Sequence, residues 1–255
     1  MAGRFEGRTA IVTGASRGIG LAIARRLVDE GARVVITARG SEALEAAVAE
    51  LGGPEHAVFV AGRADDEEHQ AETVAAAVET FGSVDLLVNN TGINPTYGPL
   101  LGLDVSVARK MVDVNCLAPI SWIQHAHRAW MGEHGGAVVN VASIAGLRPA
   151  PGIAMYGGTK SMLIHLTQEL AVELGPDIRV NAVAPAVVKT PLYEGFIPKE
   201  EIEATLATFA PLHPLGRVGT PADVANAVTF LLSEQASWIS GTILNVDGGV
   251  MAGRN

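Results

Sequence analysis

The chain has 255 residues, of which 48% are hydrophobic and 18% charged, and its formal net charge at pH 7 is −9. This composition excludes intrinsic disorder, and the acidic balance disfavours nucleic acid or an anionic membrane surface as a partner. The only cysteine, Cys116, excludes an internal disulfide and a cysteine-based zinc site. Since no segment has the pattern of a signal peptide or a membrane-spanning helix, we expect a cytoplasmic protein.

Short apolar runs alternate with longer helical patterns along the chain. The apolar runs predict seven strands, at 9–13, 33–37, 57–61, 85–89, 136–142, 178–183 and 242–246. The helical patterns predict helices at 19–30, 41–51, 67–81, 104–131, 152–174 and 221–233, and Ser41 is the expected N-cap of the second. This alternation predicts an α/β fold, a Rossmann-like doubly wound parallel sheet of about seven strands, in a single domain that spans residues 1–255.

One connection, at 185–219, is long for a compact domain, and long loops often serve as lids or binding loops. We therefore expect a substrate-binding lid at about 185–219. Its apolar residues are Leu192, Tyr193, Phe196, Ile197, Leu206 and Phe209. They predict a small-molecule substrate with an apolar body.

The first strand leads directly into Thr13-Gly14-Ala15-Ser16-Arg17-Gly18-Ile19-Gly20, and a helix follows. Glycines allow the backbone to approach a phosphate closely, and the helix N-terminus supplies free N–H groups and a partial positive charge. The spacing is G-x-x-x-G-x-G rather than the more familiar G-x-G-x-x-G. Between a strand and a helix, the pattern favours a phosphate-binding turn over a plain glycine-rich connection.

A second pattern is the pair Tyr156 and Lys160, which lie four residues apart and so share one face of a helix. An ammonium group beside a phenol lowers the phenol's pKa and suits it to acid–base work near neutral pH. Ser143 follows the fifth strand, where catalytic groups of open α/β sheets gather. Taken singly, each has an ordinary explanation: a packed tyrosine beside a surface lysine, and a serine that caps a helix.

Together and in this order, the motifs resemble those of the short-chain dehydrogenase/reductase family, from Thr9 to about Gly249. The other matching pieces are Asn89-Asn90-Thr91-Gly92, Asn115, the stretch from Pro185 to Thr190, and Asp247-Gly248-Gly249. In length and motifs the chain is similar to bacterial 3-oxoacyl reductases.

The resemblance implies an oxidoreductase that interconverts a ketone and a secondary alcohol by hydride transfer. It implies that Tyr156 exchanges a proton with the substrate oxygen and that Ser143 hydrogen-bonds the same oxygen. It further implies that Lys160 holds the nicotinamide ribose and that Asn115 supports a water linked to Lys160. The implied cofactor contacts are Gly14, Ser16, Arg17, Gly18, Ile19, Gly20, Arg39, Arg63, Ala64, Asn90, Gly92, Tyr156, Lys160, Pro185, Val188 and Thr190. No metal site is expected.

The chain departs from the family pattern at three places. Thr91 stands where alanine is usual, and Ala186 where glycine usually follows the proline. Arg63-Ala64 stands where many members carry Asp-Val, whose aspartate meets the adenine. Two interpretations stay open for Arg63: its planar guanidinium stacks on the adenine, or it points to solvent.

The cofactor is predicted from the end of the second strand, Thr37-Ala38-Arg39. NAD-preferring relatives place an acidic residue there for the ribose 2′-hydroxyl, and this chain has none. Arg39, with Arg17 of the glycine turn, would instead bind a 2′-phosphate. NADP(H) is therefore favoured, with NAD(H) as the open alternative.

Other functions remain as alternatives. A 3-oxoacyl reductase acting on an acyl carrier protein or on CoA is one, although an acidic carrier protein needs a basic docking patch and the surface turns carry Glu133 and Asp177. A catalytically silent cofactor-binding member is another, but Ser143, Tyr156 and Lys160 are all present. Enoyl reductases of the family usually space the tyrosine and lysine more widely than four.

Three weaker features have plain interpretations. The acidic run at 65–68 fits the first turn of a helix better than a metal site. His125 and His127 point to different sides of a helix, and Cys116 is expected to be a small buried residue. The positive mean hydropathy of +0.28 and the apolar 238–251 segment support the homotetramer that the resemblance implies.

Overall fold

The computed structural model describes residues 3–191 and 198–253. Seven parallel strands form one sheet in the order β3-β2-β1-β4-β5-β6-β7. Their bounds are β1 Thr9–Thr13, β2 Arg33–Ala38, β3 Ala57–Ala61, β4 Leu86–Asn89, β5 Gly136–Val141, β6 Ile178–Pro185 and β7 Ile243–Val246. The strand order reverses between β1 and β4, and open α/β sheets bind ligands at such a switch point.

Helices cover both faces of this sheet, so the predicted doubly wound fold is confirmed. They are α1 Gly18–Asp29, α2 Ser41–Glu50, α3 Glu67–Phe81, α4 Val105–Val112, α5 Ala118–Ala126, α6 Gly132–His134, α7 Ala154–Glu173, α8 Lys199–Phe209 and α9 Pro221–Leu232. Ala10 and Val12 of β1 face the core that α1, α2 and α9 cover, while Ile11 faces the core of α3 and α5. Because both faces are covered, β1 is buried at every residue.

The predicted helix at 104–131 contains two wide π turns, at Asp113–Leu117 and His127–Met131. Each π turn adds one residue to a single turn of the helix, and a shift this local is not evident in the hydrophobic pattern. The prediction that Ser41 caps α2 is wrong, because Gly40 occupies the N-cap position and Ser41 is the first helical residue.

The long connection that begins after β6 was predicted without secondary structure, yet it contains α8. Ile202, Leu206 and Phe209 recur at helical spacing along α8, and Leu206 is buried. Four of the apolar residues assigned to the lid, Leu192, Tyr193, Phe196 and Ile197, lie outside the described residues. Over the part of the chain that the structure describes, no helix has both the length and the apolarity to cross a membrane.

Candidate active site

The glycine turn between β1 and α1 lies at the switch point of the sheet. Gly14 and Gly18 have φ of +65° and +62°, a backbone conformation that favours glycine. A side chain at Gly20 would overlap the carbonyl oxygen of Gly14, and its Cβ would lie 2.6 Å from Nδ2 of Asn90. The turn therefore forms a cradle that only glycine leaves open.

Hydrogen bonds join this turn to the end of β4. The Thr13 hydroxyl oxygen accepts bonds from the backbone N–H groups of Asn90 and Thr91, both at 3.0 Å. The Asn90 side chain donates to the carbonyl oxygens of Thr13 and Gly14, at 2.8 and 3.1 Å. These bonds fix the ends of β1 and β4 relative to each other, a role of Thr13 that the sequence analysis missed.

The N-terminus of α1 is left open toward this cradle. Arg17 is the N-cap in an extended conformation, without a side-chain capping bond, and the first turn of α1 has no acidic residue. The first N–H groups of a helix have no partner within the helix and carry a partial positive charge. Turn and helix end together suit the binding of a phosphate group.

Tyr156 and Lys160 lie in the first two turns of α7, with Nζ of Lys160 5.7 Å from the centre of the Tyr156 ring. Lys160 is buried, and its Nζ donates a 2.8 Å bond to the carbonyl oxygen of Val141 at the end of β5. A Cβ at Gly92 would lie 3.1 Å from the same Nζ. Burial lowers the pKa of Lys160 to about 8. The sheet therefore aims a mostly protonated ammonium group at the Tyr156 side of the cleft.

Ser143 follows β5 and opens the short 3₁₀ turn Ile144–Gly146, whose Ala145 N–H donates a 3.2 Å bond to the serine hydroxyl. Ser143 thus both caps a helical turn and lies at the end of a strand. A Cβ at Gly157 of α7 would lie 2.5 Å from the carbonyl oxygen of Ala145. The Ser143 turn therefore packs directly on α7, one residue after Tyr156.

Asn115 lies in the first π turn and is fully buried. Its Oδ1 accepts a 2.8 Å bond from the Ile93 N–H, and its Nδ2 donates to the Ile93 carbonyl at 2.9 Å and to the Thr159 hydroxyl at 3.0 Å. The π turn thus ties the segment after β4 to α7. The water expected at Asn115 stays a prediction.

Three arginines lie near the predicted adenosine end. Arg17 and Arg39 are exposed, and neither forms an ion pair with any residue in the described ranges. Arg63 is also exposed and pairs at 3.2 Å with Asp65, which Lys110 also contacts. Stacking of Arg63 on the adenine stays a prediction.

The segment after β6 returns to the glycine turn. Val188 forms a bridge with Gly219, so the two ends of the predicted lid lie side by side. Thr190 lies over the turn, with its Cβ 3.7 Å from the place of a side chain at Gly18. Thr190 therefore lies on the same side of the cleft as the glycine cradle, a few residues after Pro185 and Val188.

A cavity of about 340 Å³ opens beside Tyr156. The segment after β4 forms one wall with Asn94, Thr96 and Tyr97, and the start of α7 forms the other with Met155. The sequence pattern predicts a substrate site under the lid alone, without this wall. The apolar and aromatic residues after the Asn89-Asn90-Thr91-Gly92 turn were the signal that pointed to it.

The weaker sequence features have structural explanations. The Asp66 carboxylate caps α3 by accepting bonds from the Glu68 and His69 N–H groups. Cys116 is buried with its thiol against the Thr159 carbonyl, and burial raises its pKa to about 11. Among the described residues, no group of three or more His, Cys, Asp or Glu side chains forms a metal-binding cluster.

Comparisons with known proteins agree with this geometry. A family model described as enoyl-(acyl carrier protein) reductase matches residues 14–251. The Caenorhabditis elegans dehydrogenase/reductase SDR family member 4 is 40% identical, with 98% of this chain and 97% of that protein covered. The cis-4-hydroxycyclohexanecarboxylate dehydrogenase of Sinomonas cyclohexanicum is 38% identical, with 97% and 98% covered.

Among solved structures, a short-chain glucose/ribitol dehydrogenase from Brucella melitensis superposes with a TM-score of 0.89 at 33% identity, with 98% of this chain and 99% of that chain covered. This likeness extends over the sheet, the glycine turn and α7. The family expected from the motifs is thereby confirmed. The chain belongs to the short-chain dehydrogenase/reductase family, whose members bind NAD(P)(H), and it is an oxidoreductase acting on CH–OH groups.

Proposed function

We propose that this protein is an NADP(H)-dependent oxidoreductase that interconverts a ketone and a secondary alcohol, with Tyr156 as the acid and base. The observation that carries the proposal is the placement of Ser143, Tyr156 and Lys160 around the end of one strand, β5. Lys160 is held by the carbonyl of Val141, Tyr156 lies one helical turn before it, and the Ser143 turn packs on α7 beside Tyr156. A catalytically silent member has no need of this arrangement.

The described residues fit a dinucleotide. The glycine cradle and the N-terminus of α1 would take the pyrophosphate, and Lys160, facing Gly92, would hold the hydroxyls of the nicotinamide ribose. Thr190 would meet the carboxamide beside Val188. The bound cofactor supplies or accepts the hydride.

The proton chemistry belongs to the chain's own residues. During reduction, the Tyr156 hydroxyl donates its proton to the substrate oxygen, and it takes the proton back in the reverse direction. The Ser143 hydroxyl donates a hydrogen bond to the same oxygen while its own oxygen accepts from Ala145. The Lys160 ammonium stabilises the phenolate that remains on Tyr156.

The preference for NADP(H) rests on Arg39 and Arg17, which are exposed and form no ion pair with a described residue. A hydrogen bond to a charged group contributes roughly 1.5–3 kcal/mol, which corresponds to about 10- to 150-fold in affinity. NADPH alone carries the 2′-phosphate. Loss of Arg39 should therefore weaken NADPH within that range and leave NADH nearly unchanged, with Arg17 moving the effect toward the lower end.

The test of cofactor preference is the ratio of kcat/KM for NADPH and NADH in the wild type and in Arg39→Ala. Arg33→Ala is the control, because Arg33 lies at the other end of β2 against Phe81. We expect a wild-type ratio that favours NADPH, a collapse of the ratio in Arg39→Ala, and no change in Arg33→Ala. A wild type that favours NADH, or a ratio that Arg39→Ala leaves unchanged, contradicts the proposal.

The proposed substrate has an apolar body. The cavity beside Tyr156 is lined by Tyr97, Leu100, Leu103, Ile153 and Met155, with Asn94 and Thr96 as uncharged polar groups and Asp104 as a charged one. The name of one relative indicates a hydroxycyclohexanecarboxylate as its substrate, which supports cyclic ketones, with and without a carboxylate, as the first class to assay.

The family model's description favours one alternative, a reductase of acyl chains on a carrier. A panel of cyclohexanones, aryl ketones, 3-oxoacyl-CoA and enoyl-CoA, assayed with both reduced cofactors, separates the candidates. We expect the highest kcat/KM with a cyclic or aryl ketone. A preference for 3-oxoacyl-CoA or enoyl-CoA supports the acyl reductase instead.

We also propose a cytoplasmic homotetramer. Trp238 and Val172 are almost fully exposed on the chain taken alone, as expected for apolar residues that another subunit covers. We likewise propose that the chain forms a single domain and that its 185–219 segment is the substrate-binding lid. Light scattering at micromolar concentration checks the assembly, and a monomer there rejects it.

A further inference from the structure

His69 of α3 is a buried histidine in contact with the end of β2. It is 5% exposed, and its Nε2 lies 2.6 Å from the hydroxyl oxygen of Thr37. Trp122 packs edge-on against the ring, with the ring centres 5.8 Å apart. Thr37 is itself buried and lies two residues before Arg39. A link of one hydrogen bond thus connects α3 to the strand end that carries Arg39.

We assign the tautomer of the His69 ring from its contacts. Nδ1 is buried and makes no hydrogen bond with any described residue, and a proton there would be a buried donor without an acceptor. Nδ1 is therefore unprotonated, and Nε2–H donates to Thr37. Burial lowers the pKa of His69, and this outweighs the opposing effects of Asp66 and Glu72.

The same ring touches the end of β3. A side chain at Gly62 would overlap Nδ1 and the neighbouring ring atoms of His69, so the ring occupies space that only glycine leaves. The Gly62 N–H donates a 2.9 Å bond to the carbonyl oxygen of Ala38, one residue before Arg39. His69 therefore packs under both strand ends at the predicted adenosine site.

The loop after Gly62 has further supports. The Ala64 carbonyl accepts bonds from Gln70 at 2.7 Å and from Trp122 at 3.0 Å, and Asp65 contacts Lys110 of α4. The side chain of Arg39, in contrast, forms no ion pair with a described residue. The position of Arg39 is therefore set by Thr37 and Ala38, the two residues before it. His69 contacts Thr37 directly, and it contacts Gly62, whose N–H donates to Ala38.

We propose that His69 is a positioning residue for the adenosine end of the cofactor site. By holding the ends of β2 and β3, it sets the direction in which Arg39 leaves the sheet. The inference rests on the proposed cofactor function, since it assumes that the adenosine lies at these strand ends. His69 does not touch the reacting atoms.

The test measures binding of adenosine fragments by calorimetry, well below the unfolding temperature. The ligands are adenosine 2′,5′-bisphosphate and AMP, which differ in the 2′-phosphate. His69→Leu keeps the apolar packing and removes the donor to Thr37, and we expect its Kd for the bisphosphate to rise about tenfold. His69→Gln, whose amide nitrogen takes the place of Nε2, should restore most of the affinity.

Thr73→Val is the matched control, because Thr73 is buried on the same helix and, within the described part of the chain, its hydroxyl bonds only to the His69 carbonyl. We expect wild-type Kd values for it, even where its melting temperature falls. If His69→Leu fails to fold, Thr37→Val removes the same bond from the other side and should give the same rise in Kd.

The outcomes separate this inference from the proposed function. Equal binding of the two ligands by the wild type refutes the NADP(H) preference, while a rise in Kd on removal of the His69 bond still supports the positioning role. Lower melting temperatures with unchanged Kd values in both His69→Leu and Thr37→Val overturn the positioning role. A rise in Kd that His69→Gln does not reverse overturns it as well, because the bond to Thr37 is then not the cause.

Discussion

The two walls of the candidate site are held in different ways. On the cofactor wall, Thr13, Asn90 and Lys160 are joined to strand ends by hydrogen bonds of 2.8–3.1 Å. On the substrate wall, Tyr97 is 84% exposed and Leu100 is 55% exposed, although the backbone of this segment bonds to Gly152. The cofactor wall is fixed in one geometry by its hydrogen bonds, whereas side chains on the substrate wall can be substituted without disturbing their neighbours.

This difference separates chemistry from specificity. An atom added to the close-packed polar cradle displaces the bound group, because the neighbouring backbone atoms and hydrogen-bonded side chains have no room to move aside. An exposed apolar segment tolerates substitution at little cost in stability. We therefore expect changes on the cofactor wall to abolish binding or turnover, and changes on the substrate wall to alter KM.

The largest expected effect on cofactor binding is at Gly20. In Gly20→Ala the new Cβ overlaps the Gly14 carbonyl and lies 2.6 Å from Nδ2 of Asn90, so the turn has to shift. We expect the Kd for NADPH to rise about 30- to 150-fold, as overpacking of this kind costs about 2–3 kcal/mol. Gly102→Ala, on the substrate wall with open space around it, is the control. Similar cofactor affinities in the two variants would show that the walls do not differ.

A second test compares neighbouring glycines of α7. In Gly157→Ala the Cβ would lie 2.5 Å from the Ala145 carbonyl and push the Ser143 turn away, whereas Gly158 faces open space. We expect kcat to fall about 10- to 30-fold in Gly157→Ala with cofactor Kd unchanged. Gly158→Ala should keep its activity and gain about 0.5–1 kcal/mol in unfolding free energy. Steady-state kinetics and urea unfolding check both, and equal kcat values would remove Ser143 placement from the account.

A third test asks what the buried ammonium of Lys160 costs in stability. Burial lowers its pKa from 10.5 to about 8, so between these pH values the folded state binds fewer protons than the unfolded state. The unfolding free energy attributable to Lys160 therefore rises with pH across that window. At pH 7, Lys160→Met should stabilise the cofactor-free protein by about 2 kcal/mol while turnover is lost.

The measurement for Lys160 is urea unfolding of wild type and variant at pH 7, 9 and 10.5. The difference in unfolding free energy between variant and wild type should shrink as the pH rises, because Lys160 of the wild type then loses its proton and no longer buries a charge. A variant that is less stable than the wild type at pH 7 contradicts this expectation, and a difference independent of pH shows that the ammonium is not its source.

The smallest expected effect is on the substrate wall. Tyr97 lines the cavity beside Tyr156, and its ring covers Gly152. We expect Tyr97→Ala to raise KM for the ketone about threefold, with kcat and cofactor Kd unchanged. Leu101→Ala, exposed and outside the cavity lining, should have no effect. A fall in kcat comparable to that of Gly157→Ala would mean that this wall also holds the catalytic geometry.

Sequence reasoning predicted the regular parts of the fold well. β1, β3 and α3 begin and end at the predicted residues, because their apolar runs are continuous and Asp66 and Gly82 mark the ends of α3. The proposed catalytic side chains were predicted from motifs that follow strands β4 and β5 along the chain.

The features that sequence reasoning missed depend on contacts between distant residues. The π turn at Asn115 is a local change within a long helix, and the shape of the 94–104 wall depends on Gly152, far along the chain. His69 reads as an ordinary polar residue of a helix, and only the fold brings its ring between Thr37 and Gly62.

The central claim is that Tyr156 donates the proton to the substrate oxygen. The most direct test is the single-turnover reduction, by Tyr156→Phe, of a ketone that the wild type reduces, with the loss of NADPH absorbance monitored by stopped-flow spectroscopy. The variant keeps the ring that packs beside Lys160 and removes only the hydroxyl. The account predicts that the single-turnover rate falls about 100-fold or more while the Kd for NADPH stays at the wild-type value. A variant that retains about a tenth or more of the wild-type rate would contradict the assignment of Tyr156 as the proton donor.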